Sequence, residues 1–72
     1  MKKHLEYKDH VSNKFWEINL KESQVNITYG RIGIKKPAKI EKKFKGKSAS
    51  DDAKKFAEKK INEKLRKGYL EV

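Results

Sequence analysis

The hydrophobic spacing changes once along this chain, and that change fixes the class of fold. Apolar side chains first recur at every second residue, through Trp16, Ile18 and Leu20, then Val25, Ile27 and Tyr29, then Ala38, Ile40 and Phe44. Beyond Ser48 they recur at spacings of three and four, through Ala53, Phe56, Ala57, Ile61 and Leu65. Period two places side chains on alternate faces of a half-buried strand, whereas spacings of three and four make one stripe on a helix. The pattern predicts an α+β domain, in which an antiparallel sheet of four to five strands is packed on one face by a single long C-terminal amphipathic helix. With 72 residues the chain makes one domain, residues 1–72, whose core must be lean.

Taken in order, a weaker alternation through Leu5 and Tyr7 predicts an edge strand over Leu5 to Asp9, with Ser12-Asn13 as a turn. Phe15 to Leu20 is the clearest strand, and Trp16 shares its parity with two aliphatics, which marks it as core. Lys21-Glu22-Ser23 connects it to an antiparallel partner over Gln24 to Tyr29. Lys35-Lys36-Pro37 reads as a basic turn, because proline fixes one dihedral and restricts the residue before it. A fourth strand over Ala38 to Lys45 follows, in which Lys42 falls on the apolar parity and is expected to snorkel at an edge. Ser48 with Asp51 fits a capping box, with Ser50 as the alternative N-cap. Asp51 and Asp52 suit the positive start of a helix; Lys64, Arg66 and Lys67 suit its end, and Gly68 supplies the stop. Tyr69 to Val72 reads equally as a return strand or a tail.

The alternation of Val25, Ile27 and Tyr29 runs into Gly30, and beyond it the apolar residues have changed parity to Ile32 and Ile34. Such a change requires an inserted residue, a bend or a bulge, expected at Gly30. Tyr29 and Arg31 would then project together from a corner of the sheet. The bend and the basic turn are expected on the face that the helix leaves open.

The formal charge of +10 raises the local concentration of polyanions, so nucleic acid is the default partner. Solubility alone is the competing explanation. Eighteen of the twenty cations are lysine. Lysine acts as a point charge on phosphate and lacks the bidentate fork that reads guanine, so binding is expected to be largely independent of sequence. The densest positive run, Lys35 to Lys47, holds seven lysines and one acid. Lys54, Lys55, Lys59 and Lys60 on the helix read as a solvated face.

Other chemistry finds no support. There is no cysteine for a disulfide or a thiolate site. His4 and His10 do not have metal-ligand spacing, and the carboxylates make no acid/base constellation. Gly30-x-x-Gly33 belongs to a strand and turn rather than to the start of a helix, which excludes a Walker loop. The expectation is a non-enzyme without cofactor. No apolar stretch suits a signal peptide or a membrane span, so a cytoplasmic, soluble monomer is expected.

The run Lys14-Phe15-Trp16-Glu17-Ile18, then Tyr29-Gly30-Arg31-Ile32-Gly33, then Phe44 before Ala53-x-x-Phe56, then Lys67-Gly68-Tyr69, resembles the WGR domain, and the likeness covers nearly the whole chain. That family occurs in poly(ADP-ribose) polymerases and in bacterial proteins similar to the molybdate-metabolism regulator. Its Trp-Gly-Arg signature falls at Tyr29-Gly30-Arg31. The resemblance implies nucleic-acid binding. In the polymerases the signature tryptophan packs on sugar at a DNA end, and the arginine takes part in DNA and interdomain contacts. Here a smaller ring stands in for the tryptophan, while Arg31 carries over directly. The candidate interface is Tyr29, Gly30, Arg31, Lys35, Lys36, Lys39 and Lys43, with DNA favoured over RNA. The alternative partner is an acidic protein or a separately encoded catalytic domain.

Overall fold

The computed structural model describes residues 1–72. Five strands and one helix follow one another: β1 (Lys2–Lys8), β2 (Asn13–Lys21), β3 (Gln24–Arg31), β4 (Ala38–Lys43), α1 (Ala49–Arg66) and β5 (Leu70–Glu71). The strands form one antiparallel sheet in the order β4-β3-β2-β1-β5, and α1 packs across one face. The α+β architecture is the one that the change of spacing requires. No helix is long and apolar enough to cross a membrane.

Register explains which side chains meet the helix. Trp16 stands opposite Leu5 on one side and Tyr29 on the other, while Ile18 stands opposite Ile27 and Leu20 opposite Val25. Residues paired directly across an antiparallel ladder point to the same face. The core therefore gathers Leu5, Trp16, Ile18, Val25 and Ile27 from the sheet with Ala53, Ala57 and Ile61 from α1. The two alanines let the helix axis approach the sheet closely. Tyr69 completes the core from the segment after the helix, a position that alternation alone does not mark.

Several boundaries differ from the sequence expectation. β1 is not an edge strand, because β5 returns along its outer side and pairs Glu71 with Leu5 and Leu70 with Glu6. The turn after β1 centres on Asp9, not on Ser12-Asn13. The Asp9 carboxylate accepts the backbone N–H of Val11 at 2.8 Å and of Ser12 at 2.6 Å, and those two bonds hold it below the usual carboxylate range. Ser48 takes the N-cap position, but no capping box forms. With φ −104° and ψ 19° it lies outside the extended region from which a capping hydroxyl typically reaches back, and its side chain makes no cap hydrogen bond.

The stop at Gly68 forms as expected. Gly68 has φ +102°, its N–H donates to the Leu65 carbonyl, and that of Tyr69 donates to the Lys64 carbonyl, each at 3.1 Å. This is the double-bonded left-handed terminus that glycine favours. A Cβ at Gly68 would stand 3.1 Å from Cε2 of Tyr7, so Gly68→Ala meets both an unfavourable dihedral and a packed ring. It is expected to cost about 1–3 kcal/mol, read as a lowered midpoint in thermal unfolding followed by circular dichroism.

No bulge occurs at Gly30. The β2–β3 ladder continues without interruption through Phe15 with Gly30 and Lys14 with Arg31. The change of parity comes later, in the turn after β3, where the Ile34 N–H donates to the Arg31 carbonyl at 3.1 Å. Glycine is needed at position 30 because that turn folds back over it. A Cβ there would lie 3.2 Å from Cγ2 of Ile34.

Candidate nucleic-acid interface

Because β3 runs straight through Gly30, Tyr29 and Arg31 keep the parity of Val25 and Ile27. Both lie on the helix side of the sheet, which corrects their expected placement on the open face. Tyr29 stands beside the buried Trp16, yet it remains 41% exposed. The helix side of β3 and β4 is partly uncovered there, since Ile40, on β4, is 46% exposed as well.

The uncovered strip is a groove of about 510 Å³. Its floor is Trp16, Ile27, Tyr29 and Ile40, and its wall is the flank of α1 carrying Phe56, Lys60, Lys64 and Lys67, with Glu63. Tyr29 also borders a shallower hollow of about 220 Å³ with Lys14, Gly30, Arg31 and Tyr69. Arg31 separates that hollow from a third depression, shared with Lys14 and Ile32. Tyr29 and Arg31 thus stand at the meeting point of a groove and two hollows.

The helix lysines around this point are missing from the sequence-based set. Read with the fold in hand, their signal was present: Phe56, Lys60, Lys64 and Lys67 are spaced four, four and three apart and make a stripe beside the buried one. Lys14 was also missed, and it enters because register places it opposite Arg31. The ammonium of Lys64 lies 5.3 Å from the Tyr69 ring centre. Partial burial lowers its pKa, and the nearby cations Lys67 and Lys14 add to that shift. A cation crowded by cations and partly desolvated is one that an incoming anion would relieve.

Charge pairing separates the two faces. On the open face Lys2 pairs with Glu17 at 3.9 Å, Lys8 with Glu6 at 3.3 Å and Lys43 with Glu41 at 3.5 Å. His4 lies between Glu6 and Glu17, at 3.0 Å and 3.4 Å, and stacks on Phe15. The bond from His4 is the main cause that keeps the Glu6 carboxyl below its ordinary range. Around the groove, only Lys60 has an acidic partner, Glu63 at 3.6 Å; Lys14, Arg31, Lys64 and Lys67 have none.

The remaining expected residues divide by position. Lys35 and Lys36 are exposed on the turn that folds over Gly30. Lys39 and Lys43 stand opposite Thr28 and Gln24, on the open face, so the sheet separates them from Tyr29 and Arg31. Lys42, on the apolar parity, holds its ammonium 4.6 Å from the Phe56 ring centre, which is how a lysine sits on that side of an edge strand.

Comparison with known proteins bears on the fold and the family. The solved structures include a crystal structure of a protein from Bacteroides fragilis that matches with a TM-score of 0.89 and 36% identity, over 100% of this chain and 19% of that one. The chain thus spans about a fifth of that protein's length. No curated protein matches. The family model for the WGR domain matches residues 1–72, and the chain belongs to the WGR domain family.

Proposed function

We propose that this domain binds nucleic acid, DNA in preference to RNA, through the groove and hollows that meet at Tyr29 and Arg31. WGR domains are generally nucleic-acid-binding modules and are not catalytic by themselves. The observation that supports this site is the imbalance of charge pairing: of the cations around Tyr29 only Lys60 has a carboxylate partner, while Lys14, Arg31, Lys64 and Lys67 have none and Lys2, Lys8 and Lys43 on the open face are paired.

In this reading Lys14, Lys60, Lys64 and Lys67 neutralise successive phosphates, joined by Lys35 and Lys36 from the turn. Arg31 donates charge-assisted hydrogen bonds to a phosphate, and Tyr29 packs its exposed ring on sugar or on a terminal base. Gly30 between them lets the turn that carries Lys35 and Lys36 fold close against the strand. Lys39 and Lys43 join only where the nucleic acid wraps around the edge of β4. Lysine contacts of this kind position a ligand without reading its bases.

The test is a fluorescence-anisotropy titration of a blunt duplex, a nicked duplex and a single strand at several salt concentrations. Seven phosphate contacts give a log–log salt slope of about −6 on duplex DNA. Tyr29→Ala combined with Arg31→Ala is expected to abolish measurable binding at physiological salt. A slope near zero, or an unaffected double variant, refutes the proposal.

A further inference from the structure

A second surface lies beside the groove, at the outer edge of β4. This strand ends the sheet, all six of its residues are exposed, and none of the backbone hydrogen bonds outside the regular elements involves residues 38–43. Its outward N–H and C=O groups are therefore free to pair with another strand. Nucleic acid has no use for such a row of alternating donors and acceptors. An extended peptide does.

The two faces of β4 define what that peptide must carry. On the helix side Ile40 continues the apolar floor of the groove and is 46% exposed, with Ala38 before it and Lys42, its ammonium over Phe56, after it. On the open side Lys39 and Lys43 flank Glu41, which pairs with Lys43. A neighbouring strand places its side chains about 4.5–5.5 Å from these. The complementary segment has acids opposite Lys39 and Lys43, a neutral polar residue opposite Glu41, and apolar residues opposite Ala38 and Ile40.

We propose that the free edge of β4 docks an extended acidic segment of a partner protein, which adds to the sheet as a further strand with alternate apolar side chains over Ile40. A second copy of this chain is a poorer occupant. Pairing β4 with itself would bring six lysines and two glutamates to one seam between two molecules each carrying +10. Lysines on an edge strand oppose self-pairing in this way, and an acidic strand turns the same charges into attraction.

The experiment uses the full 72-residue chain, labelled with nitrogen-15, and the peptide acetyl-Glu-Val-Thr-Val-Glu-Val-amide. The expected result is a set of amide shift changes centred on β4, with slowed hydrogen exchange at alternate β4 residues. N-methylating the peptide at its odd or its even positions distinguishes strand addition from charge attraction. One set of methyl groups faces β4 and is expected to weaken binding at least about tenfold, and the other faces away and leaves it unchanged. Ile40→Glu, an exposed substitution, is expected to weaken binding by a similar factor. The proposal is overturned if the permuted peptide Glu-Glu-Thr-Val-Val-Val binds equally well, or if both methylated peptides behave alike. It is also overturned if sedimentation shows a dimer that Ile40→Glu dissolves. DNA binding is read separately by anisotropy, so the failure of one proposal leaves the other standing.

Discussion

Reversing two helix charges, Lys60→Glu with Lys64→Glu, is expected to weaken duplex binding about 100-fold. Lys39→Glu with Lys43→Glu, which changes the net charge equally, is expected to weaken it much less. The first pair lies along the groove that holds Tyr29, and the second lies across the sheet on the open face. A contact between lysine and phosphate contributes about 1.5 kcal/mol, so two lost contacts remove about 3 kcal/mol, or roughly two powers of ten in affinity. Long-range attraction falls by the same amount in both variants and is screened beyond about 8 Å at physiological salt. Anisotropy titrations of the two variants side by side make the comparison. Equal losses would mean that net charge alone drives binding and that the groove has no special part.

Trp16→Ala is expected to lower the thermal unfolding midpoint by about 15 °C or more. Trp16 is 4% exposed and touches both the core and the floor of the groove. Truncating a buried tryptophan costs about 3–5 kcal/mol. A domain of 72 residues has roughly 4–11 kcal/mol in total, so the loss takes most of the lower part of that range. Circular dichroism against temperature reads it directly, which matters because the substitution also removes the chain's one tryptophan fluorophore. Tyr29→Ala, next to it in the ladder but largely exposed, is expected to leave the melting midpoint within a few degrees. The pair separates a residue that holds the domain together from one that faces a ligand.

Much of this architecture was legible in the residues. The switch from period two to a three–four stripe located β2, β3 and α1 to within about two residues, because both patterns report directly on which side chains leave water. Lys42 was legible as an edge residue for the same reason: a charge on an apolar parity needs an exit to solvent. Other features depend on distance across the fold. Tyr69 is a core residue only because Gly68 turns the chain back along β1, and a four-residue tail carries no period of its own. The parity change near Gly30 was correctly noticed and wrongly located, since a bulge and a turn three residues later produce the same alternation on paper.

The site was less legible than the fold. Tyr29, Gly30 and Arg31 stood out through composition and through likeness to a family motif, but their face could not be assigned until the ladder was seen to be continuous. Lys60 looked like an ordinary solvent-facing helix residue, and Lys64 and Lys67 like cations suited to a helix end, because helical spacing says which residues align, not which strand they will face. The packing of α1 beside the uncovered part of β3 and β4 decides that. A lysine stripe next to an apolar stripe carries information about a site only once the neighbouring sheet is known to hold an exposed aromatic.

The short strand β5 has a dynamic consequence. It is held by a two-residue ladder to β1, by a bond from the Val72 N–H to the His4 carbonyl at 3.0 Å and by an exposed ion pair between Lys3 and Glu71 at 3.4 Å. So few bonds make the segment from Gly68 onward the part of the domain that opens most readily, while β2 and β3 remain closed until global unfolding. Each such opening lifts Tyr69 from its packing against Tyr7 and withdraws the ring beneath Lys64, returning that ammonium to water. Opening of β5 and readiness of the groove are thus one equilibrium, and a polyanion that holds Lys64 against Tyr69 would quiet a motion that begins at the other side of the helix terminus.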